Sequence, residues 1–363
     1  MRGIENHQET MFSYVSTENR IPQNHPLRSV RKMADEVLLE MDETFEDQYS
    51  QMGRPSIAPE YLIRAILLQI LYSVRSERLL MEQLDYNLLF RWFVGLSVDE
   101  AVWNHSTFSK NRERLLTGRA ANEFFSRVVD KARRSNLLSD EHFTVDGTLI
   151  ESWASLKSFR PKDGSGKPPE GSLSNPFMDF RGEKRKNDTH ASTSDPEARL
   201  ATKGKGQTAK VCHMAHVQME NRHGLVVDCE VNAPSGHAER EAALLMMWRG
   251  KSGKRKTMGA DKGYDHADFV AGARQAGFTP HVAQNVSRGR TSHIDERTTR
   301  HAGYAVSQNI RKRVEEIFGW LKTIGGMRKM RFVGEMNTEG YLLFALSVFD
   351  LVRMRNILGA KAA

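Results

Sequence analysis

The sequence predicts an α/β protein, in which a mixed sheet flanked by helices follows an all-helical N-terminal domain. Two observations predict this class. Residues 25–140 carry apolar stretches bounded by helix-capping residues, which is typical of helices. Segments of alternating polarity begin only at residue 142, and from there strands and helices succeed one another to the end of the chain.

Composition limits the classes of function. The chain has 363 residues, enough for two or three domains, and a formal charge of +8 that fits a polyanionic partner without requiring one. The two cysteines, Cys212 and Cys229, exclude a disulfide framework and favour a reducing cytoplasm. We expect no signal peptide and no membrane partner, because the most apolar helix is interrupted by Arg64 and is too short to span a bilayer.

Residues 1–24 are predicted to be a leader or flexible N-terminus, since Met11 can itself serve as a start. In residues 25–140, Pro59 begins a helix, and Ser76 caps a second one that ends at Gly95. Ser106 is the expected cap of a short basic helix, and a further long helix covers residues 121–135.

Short helices joined by tight turns allow two interpretations of this domain. In one, it is a helix-turn-helix DNA reader, with Lys110 and Arg112 on its basic helix contacting DNA. In the other, it is a plain helical bundle whose surface happens to be basic. The sequence favours neither.

Residues 141–363 form the predicted α/β domain. The segment HFTVDGTLI alternates, with Phe143 and Val145 on one face and Thr144, Asp146 and Thr148 on the other, which indicates a strand. A polar insertion or long loop without periodicity follows at residues 157–207, and we expect it to be mobile.

A hairpin of TAKVCHMAHVQ and GLVVDCEVN comes next, and a helix begins at Ser235 and ends at Gly250. The strand KTMGAD, a helix capped by Asp265, the strand PHVAQN and two more helices complete the chain. This order is expected of a ribonuclease-H-like domain, although several other α/β folds share it.

Two aspartates lie where ligand sites form in such folds. Asp146 occupies the polar face of the first strand, and Asp261 ends the strand TMGAD, just before Gly263, where a sharp backbone turn is expected. Taken singly, each aspartate is better explained as a turn or capping residue.

The helix RKRVEEIFGWLK raises the question of which glutamate does chemistry. Residues of an ideal helix are spaced about 100° apart around its axis. With Arg311 placed at 0° on this helical wheel, Glu315 lies at about 40° and Lys322 at about 20°, beside the apolar face, whereas Glu316 lies at about 140°. Glu315 is therefore the candidate, and Glu316 is solvated charge. The alternative is an ordinary Arg311–Glu315 ion pair of small energy.

Asp146, Asp261 and Glu315 together suit a pair of hard divalent cations. Mg²⁺ prefers oxygen ligands and keeps water or phosphate in its shell, and Mn²⁺ is a possible substitute. Two such ions roughly 3.5–4 Å apart clamp the attacking and leaving oxygens of a phosphoryl transfer. Without a cation, three crowded carboxylates repel one another.

The blocks FTVDGTLIES, GADKGYD and RKRVEEIFGWLKTIGG resemble the catalytic blocks of bacterial insertion-sequence DDE transposases, most closely the insertion sequence five family. Arg311, Glu315 and Lys322 fit that group's Tyr-x2-Arg-x3-Glu-x6-Lys pattern, and Gln308 stands in place of the tyrosine. The N-terminal stretch from RPSIAPEYLIRAILLQILY to WNHSTFSKNRERLL resembles the helical domain of these enzymes. The resemblance covers nearly all of residues 25–360.

The resemblance implies a ribonuclease-H-like catalytic domain with Asp146, Asp261 and Glu315 as catalytic residues and metal ligands. It implies cleavage of double-stranded DNA at terminal inverted repeats and transfer of the 3′-hydroxyl ends to target DNA. Arg311 and Lys322 would hold phosphates. A homodimer or larger assembly on DNA is expected, in the cytoplasm at the nucleoid.

Three basic stretches are candidates for following the DNA backbone: residues 249–256, 287–290 and 327–331. Their DNA-binding candidates are Arg288, Arg290, Lys329 and Arg331. Each stretch can equally be a solvated loop.

Two competing functions share these features. A nuclease or resolvase of the same fold would have the acids but lack strand transfer. A DNA-binding regulator descended from a transposase would need no intact acids, and the presence of all three argues against it.

Overall fold

The computed structural model describes residues 16–48, 56–163, 179–180, 183–202, 204 and 207–362. Its N-terminal part is helical, as predicted. Its helices are α1 (Thr17–Arg20), α2 (Pro26–Leu39), α3 (Asp42–Gln48), α4 (Pro59–Leu71), α5 (Glu77–Tyr86), α6 (Leu88–Val94), α7 (His105–Thr117) and α8 (Arg119–Arg134). Residues 1–15 of the predicted leader lie outside the described part of the chain. The rest of that segment contains α1, which packs against α6.

Two helix boundaries differ from the sequence prediction. The segment after Ser76 is two helices rather than one, because the Asn87 side chain accepts hydrogen bonds from the backbone N–H groups of Leu89 and Phe90 and caps α6. Asn104, not Ser106, caps α7, since its Oδ1 accepts from the Ser106 N–H at 2.9 Å. An Asn placed one residue before the helix offers the acceptor in the position that capping requires.

The remaining elements alternate between strands and helices. The strands are β1 (His142–Glu151), β2 (Phe159–Pro161), β3 (Asp179–Phe180), β4 (Glu183–Lys184), β5 (His190–Ser192), β6 (Arg199–Ala201), β7 (Lys210–Glu220), β8 (Val226–Asn232), β9 (Lys256–Ala260) and β10 (Phe278–Val282). The helices are α9 (Ala238–Arg249), α10 (Ala267–Gln275), α11 (Glu296–Thr299), α12 (Ala302–Ile310), α13 (Val314–Thr323) and α14 (Glu335–Ala362).

The main sheet is mixed, as expected. Its strands run in the order β10-β9-β1-β7, and β8 and β6 both pair with the far edge of β7. β1 is antiparallel to β7 and parallel to β9, and β9 is parallel to β10. β1 therefore lies in the middle of the sheet, and its neighbour β9 ends beside the centre of β1.

Helices cover both faces of this sheet. Phe143 and Val145 of β1 pack with the buried residues of α9 and α10, whereas Ile150 packs on the opposite side with α13 and α14. The predicted alternation of β1 is confirmed. α14 also contacts α4, α7 and α8, so the N-terminal helices and the sheet share one hydrophobic core.

The polar insertion is more ordered than predicted. Within residues 157–207, β2 pairs with β5, and β6 joins the main sheet. Phe159 and Ala198 are buried in a small apolar cluster that includes Val211 of β7. The prediction of an aperiodic loop failed here because these strands are only three residues long, too short to show alternation. Residues 164–178, 181–182, 203 and 205–206 of the insertion lie outside the described part.

Two further sequence predictions need correction, one at Arg311 and one at Asp265. The helix expected through Arg311 and Glu315 is interrupted, because residues Arg311–Arg313 form a tight 3₁₀ turn between α12 and α13. Asp265 does not cap α10. Its carboxylate accepts from the N–H groups of Asn285 at 2.7 Å and His293 at 2.9 Å, and so fastens the segment after β10.

In the described part of the chain, the helices are either too short or too polar to cross a membrane.

Candidate active site

Asp146 lies near the middle of β1, on the sheet face that α13 covers. Its Oδ1 accepts a hydrogen bond from the Gly147 N–H at 2.8 Å. Burial raises the pKa of Asp146 to about 7; the hydrogen bond from Gly147 opposes this shift, and the charges of Asp261 and Glu239 add to it. The Asp146 carboxylate is thus the centre of an acidic cluster that has Arg311 as a cationic neighbour.

Asp261 directly follows β9, which is hydrogen-bonded to β1. Its Oδ1 accepts from the Gly263 N–H at 2.7 Å and opens a short 3₁₀ turn. A Cβ on Gly263 would lie 2.9 Å from the same oxygen. Gly263 is therefore suited to this site by its lack of a side chain, which lets the carboxylate fold back on the turn, rather than by an unusual backbone angle.

Two cations of the predicted stripe lie against the strands that carry the aspartates. Lys322 of α13 donates a hydrogen bond from Nζ to the Thr148 hydroxyl at 2.6 Å, two positions beyond Asp146. Arg311 has its Cβ 3.6 Å from the Cβ position over Gly259 of β9. Both sides of the acidic cluster on this face therefore carry positive charge.

Gln308, the residue at the pattern's tyrosine position, supports Arg311. Its Oε1 accepts from the Arg311 Nε at 3.0 Å, and its amide nitrogen donates to the backbone carbonyl of His281 in β10. The glutamine thus holds the guanidinium against the sheet edge.

Glu315 lies in the first turn of α13 and is exposed, as is Glu316. The structure places Glu315 between Arg311 and Lys322 along the chain, but its side chain makes no hydrogen bond or ion pair with any described residue. Across the described ranges, no three His, Cys, Asp or Glu side chains are gathered closely enough to hold a metal ion. The structure thus brings the two aspartates together, whereas Glu315, the third predicted metal ligand, does not join them.

Glu239 is the acidic neighbour that sequence reasoning missed. It lies in the first turn of α9, with its Cγ 3.3 Å from the Cβ position over Gly147. Burial raises the pKa of Glu239, and the charge of Asp261 raises it further. In the sequence HAEREA, Glu239 looks like any acid near a helix N-terminus, so no signal distinguished it.

Among the predicted DNA-binding residues, Arg112 is placed differently from the expectation. It is buried, forms an ion pair with Glu77 and lies over the Phe332 ring at 4.6 Å. Helix α7 turns Arg112 towards the core, so we no longer expect this residue to contact DNA. Lys110 on the same helix is exposed.

The later basic stretches divide in the same way. Arg290 and Lys329 are exposed, whereas Arg331 donates to the backbone carbonyls of Val74 and Arg75 and so ties this segment to the helical part. Lys329 lies 5.9 Å from the ring centre of Trp153, which is itself exposed. The side chain of Arg288 is outside the described part.

The donor chemistry of this cluster fits a hard divalent cation. Asp146 and Asp261 offer oxygen atoms alone, the ligand type that Mg²⁺ and Mn²⁺ take in proteins. Burial and mutual repulsion raise the pKa of Asp146 and Glu239, which is the electrostatic situation that a bound cation relieves.

Two models of protein families match segments of this chain. Residues 15–114 match the model described as "Transposase domain (DUF772)", and residues 179–349 match the model described as "Transposase DDE domain". The second match includes Asp261 and Glu315 and begins after Asp146. A search of the curated proteins finds no significant match.

Solved structures of transposases are distant from this chain. A piggyBac transposase synaptic complex with hairpin DNA is 10% identical, with a TM-score of 0.41, covering 91% of this chain and 75% of that one. The Mos1 strand transfer complex is 10% identical, with a TM-score of 0.26, covering 85% and 79%. Likenesses at this level add nothing to the family matches.

The two matched segments, both from transposase models, define the class: the chain is a DDE-type transposase. It is a DNA transposase, an enzyme of DNA recombination.

Proposed function

We propose that this enzyme cleaves DNA at the terminal inverted repeats of its element and joins the freed ends to target DNA. A water oxygen bonds to the phosphorus and the bond from that phosphorus to the 3′ oxygen breaks, which frees a 3′-hydroxyl. The oxygen of that hydroxyl then bonds to a phosphorus of the target, and the bond from this phosphorus to the target's own 3′ oxygen breaks, which leaves a new 3′-hydroxyl on the target. No covalent protein intermediate is needed. The observation that carries the proposal is the juxtaposition of Asp146, near the middle of β1, and Asp261, just after the end of the paired strand β9, with Arg311 and Lys322 beside them.

DDE transposases use divalent metal ions, and Asp146, Asp261 and Glu315 are the residues proposed to hold two of them. Bound there, Mg²⁺ or Mn²⁺ would supply Lewis acidity to the phosphate and lower the pKa of an attacking water. Asp146 and Asp261 are fixed by β1 and β9, whereas Glu315 would have to turn towards them from α13. The exposure of Glu315 leaves its side chain room to do so.

Arg311 and Lys322 are proposed to bind the phosphates that flank the scissile bond. A guanidinium presents a planar pair of donors to phosphate oxygens, and an ammonium acts as a point charge. Gln308 orients Arg311, and Thr148 orients Lys322, so both cations are positioned before DNA arrives. Exposed Lys110, Arg290 and Lys329 would contact the backbone further away.

The finer assignments follow from the same features. The strand, hairpin and alternating helix–strand order, with a mixed sheet built around β1, supports a ribonuclease-H-like catalytic domain in residues 141–363, preceded by a DNA-binding domain in residues 25–140. The three sequence blocks support membership of the insertion sequence five family. We also propose a homodimer or larger assembly on DNA, acting in the cytoplasm at the nucleoid.

The test is incubation of the full chain with its own element ends, a target plasmid and Mg²⁺, beside an Asp146→Asn variant. We expect cleaved ends and joined product from the unaltered chain and neither from the variant. Cleavage without joining would identify a nuclease or resolvase instead. Binding without cleavage by both proteins would contradict the proposed reaction.

A further inference from the structure

A cavity of about 800 Å³ lies at the end of the main sheet that is opposite to Asp261. Residues around the starts of β1, β9 and β10 line it, among them His142, Arg255 and Phe278. Because these three strands are parallel, their starts share one edge of the sheet and their carboxyl ends the other. At about 3.3 Å per residue, the run from Arg255 to Asp261 places their Cα atoms roughly 20 Å apart. The cavity is therefore separate from the candidate active site.

The cavity carries positive charge without a matching carboxylate. Its lining cations are Lys254, Arg255, Arg274 and Arg297, and none of the described residues that line it is acidic. Asp295, which does not line the cavity, pairs with Arg297 at 2.6 Å and with Arg274 at 3.8 Å. Lys254 and Arg255 form no ion pair with any described residue. Two unneutralised cations thus face one concave surface, an arrangement that attracts an anion.

Arg255 is held in place at this surface. Its Nε donates a hydrogen bond to the Thr279 hydroxyl at 3.0 Å. Thr279 lies opposite Thr257 in the β9–β10 pair, so the guanidinium is fixed at the start of these strands. The bond uses Nε and leaves the terminal nitrogens able to donate to phosphate oxygens.

The basic stretch between α9 and β9 divides according to its contacts. Arg249 forms ion pairs with carboxylates of β8, and Lys251 lies over the Trp248 ring at 4.2 Å. Lys254 and Arg255 are exposed and line the cavity. These two residues are therefore the cations of the stretch that a ligand can reach without breaking an ion pair.

We propose that this cavity binds backbone phosphates of duplex DNA through Lys254 and Arg255, away from the phosphate that is cleaved. The inference rests on the proposed function, because it takes DNA as the ligand. It adds a contact that is independent of base sequence and lies at the opposite edge of the sheet from Asp261. Free phosphate has the same chemistry, and the experiment separates the two sources.

The test measures binding of labelled duplex DNA to the full chain in EDTA, which withholds the divalent ions that cleavage needs, over a range of KCl concentrations. One duplex carries an element end and the other an unrelated sequence. The test variant is Lys254→Gln/Arg255→Gln. The matched control, Arg160→Gln/Lys162→Gln, removes the same two charges from exposed positions outside the cavity.

Each lost phosphate contact lowers the slope of log affinity against log salt concentration by about 0.9. We expect a fall of about 1.8 for the test variant on both duplexes, because phosphates carry no sequence information. The control should keep the slope of the unaltered chain, and the charge-retaining variant Lys254→Arg/Arg255→Lys should restore it. Lys254→Gln alone breaks no hydrogen bond of a described residue and should lose about 0.9, so the test does not depend on the Arg255–Thr279 bond.

An unchanged slope in the test variant would overturn this inference and leave the proposed function standing. An equal fall in the control would also overturn it, since any two surface charges would then suffice, and so would a fall confined to the element end. Calorimetric titration with inorganic phosphate covers the other source, because phosphate binding with an unchanged DNA slope would identify a site for free anions and contradict the inference. An unaltered chain that binds neither duplex would overturn the proposed function and this inference with it.

Discussion

Lys322 and Thr148 are joined by a hydrogen bond of 2.6 Å between Nζ and the threonine hydroxyl, although they lie far apart in sequence. Thr148 is two positions beyond Asp146 on β1, and Lys322 is seven beyond Glu315 on α13. The bond fixes the helix that carries the third acid against the strand that carries the first. It is thus a link between the two halves of the proposed site.

Replacing Thr148 with valine removes the acceptor and keeps the shape. Because a hydrogen bond to a charged group contributes about 1.5–3 kcal/mol, we expect cleavage to slow by roughly tenfold or more, with DNA affinity unchanged. The measurement is the single-turnover cleavage rate beside a filter-binding assay. Thr323→Val is the control, since that hydroxyl bonds to Gly319 within its own helix. A Thr148→Val enzyme as fast as the unaltered one would show that the link does not position the site.

The isosteric changes Asp146→Asn, Asp261→Asn and Glu315→Gln should each abolish cleavage and leave DNA binding intact. Each change removes a charge that the cation needs while preserving size. Glu316→Gln, on the neighbouring position of α13, is the control and should cleave at the normal rate. If Glu316→Gln is inactive and Glu315→Gln cuts normally, the assignment of the third acid is wrong.

Stability of the metal-free chain should depend on pH through Asp146. Its pKa is about 7 in the folded chain against 3.8 as the reference value, so the folded state binds the proton more tightly. Ionisation therefore destabilises the folded state increasingly as pH rises from about 4 to about 7. Asp146→Asn should be more stable than the unaltered chain at pH 8, by on the order of 4 kcal/mol at most, and equal to it near pH 4.

Urea unfolding in EDTA across this pH range measures the difference between the two proteins. Adding Mg²⁺ at pH 8 should recover stability in the unaltered chain but not in Asp146→Asn, because the cation neutralises the carboxylate. A difference that stays constant from pH 4 to pH 8 would contradict the burial of this group.

Gly147→Ala should destabilise the fold, because its Cβ would meet Nδ1 of His216 at 2.9 Å in a packed layer. Overpacking of this kind costs about 1–3 kcal/mol. Gly236→Ala, just before α9, is the control, since a Cβ there meets nothing within 4 Å. Chemical denaturation of both variants measures the effect, and equal stabilities would mean that the space over Gly147 is not tight.

Replacing Lys110 and replacing Arg112 should have different effects, the first on DNA binding and the second on stability. Arg112→Met breaks a largely buried ion pair with Glu77 and should cost on the order of 3 kcal/mol of stability. Lys110→Met changes an exposed cation and should weaken DNA binding without altering the unfolding free energy. The reverse pattern, with Arg112→Met stable and unable to bind DNA, would restore Arg112 as a DNA contact.

Sequence patterning predicted most of the fold because the signals were local. The alternation of Phe143, Val145 and Asp146 gave the face of β1 that each side chain occupies, and the structure confirms it. The capping residues were harder to predict. Both Asn104 and Ser106 are residue types that cap helices, and only the structure shows that Asn104 caps α7. The prediction of one continuous helix through Arg311 and Glu315 was wrong, because residues Arg311–Arg313 form a 3₁₀ turn.

The acidic site was predictable only in part. Asp146 and Asp261 carried a signal because each stands at a recognisable place in a strand. Glu239 carried none, since its approach depends on Gly147 and on His216 across the ladder, which are tertiary relationships. Arg112 looked exposed by composition, but its burial depends on contacts with Glu77 and Phe332 from other helices or loops.

The most direct test of the account is the anomalous scattering of Mn²⁺ in crystals of the protein bound to its terminal-repeat DNA. We expect manganese peaks bounded by the carboxylates of Asp146, Asp261 and Glu315, next to the scissile phosphate. Manganese bound elsewhere, or a peak at the aspartates with Glu315 still turned to solvent, would contradict the claim that these three acids share the metal site.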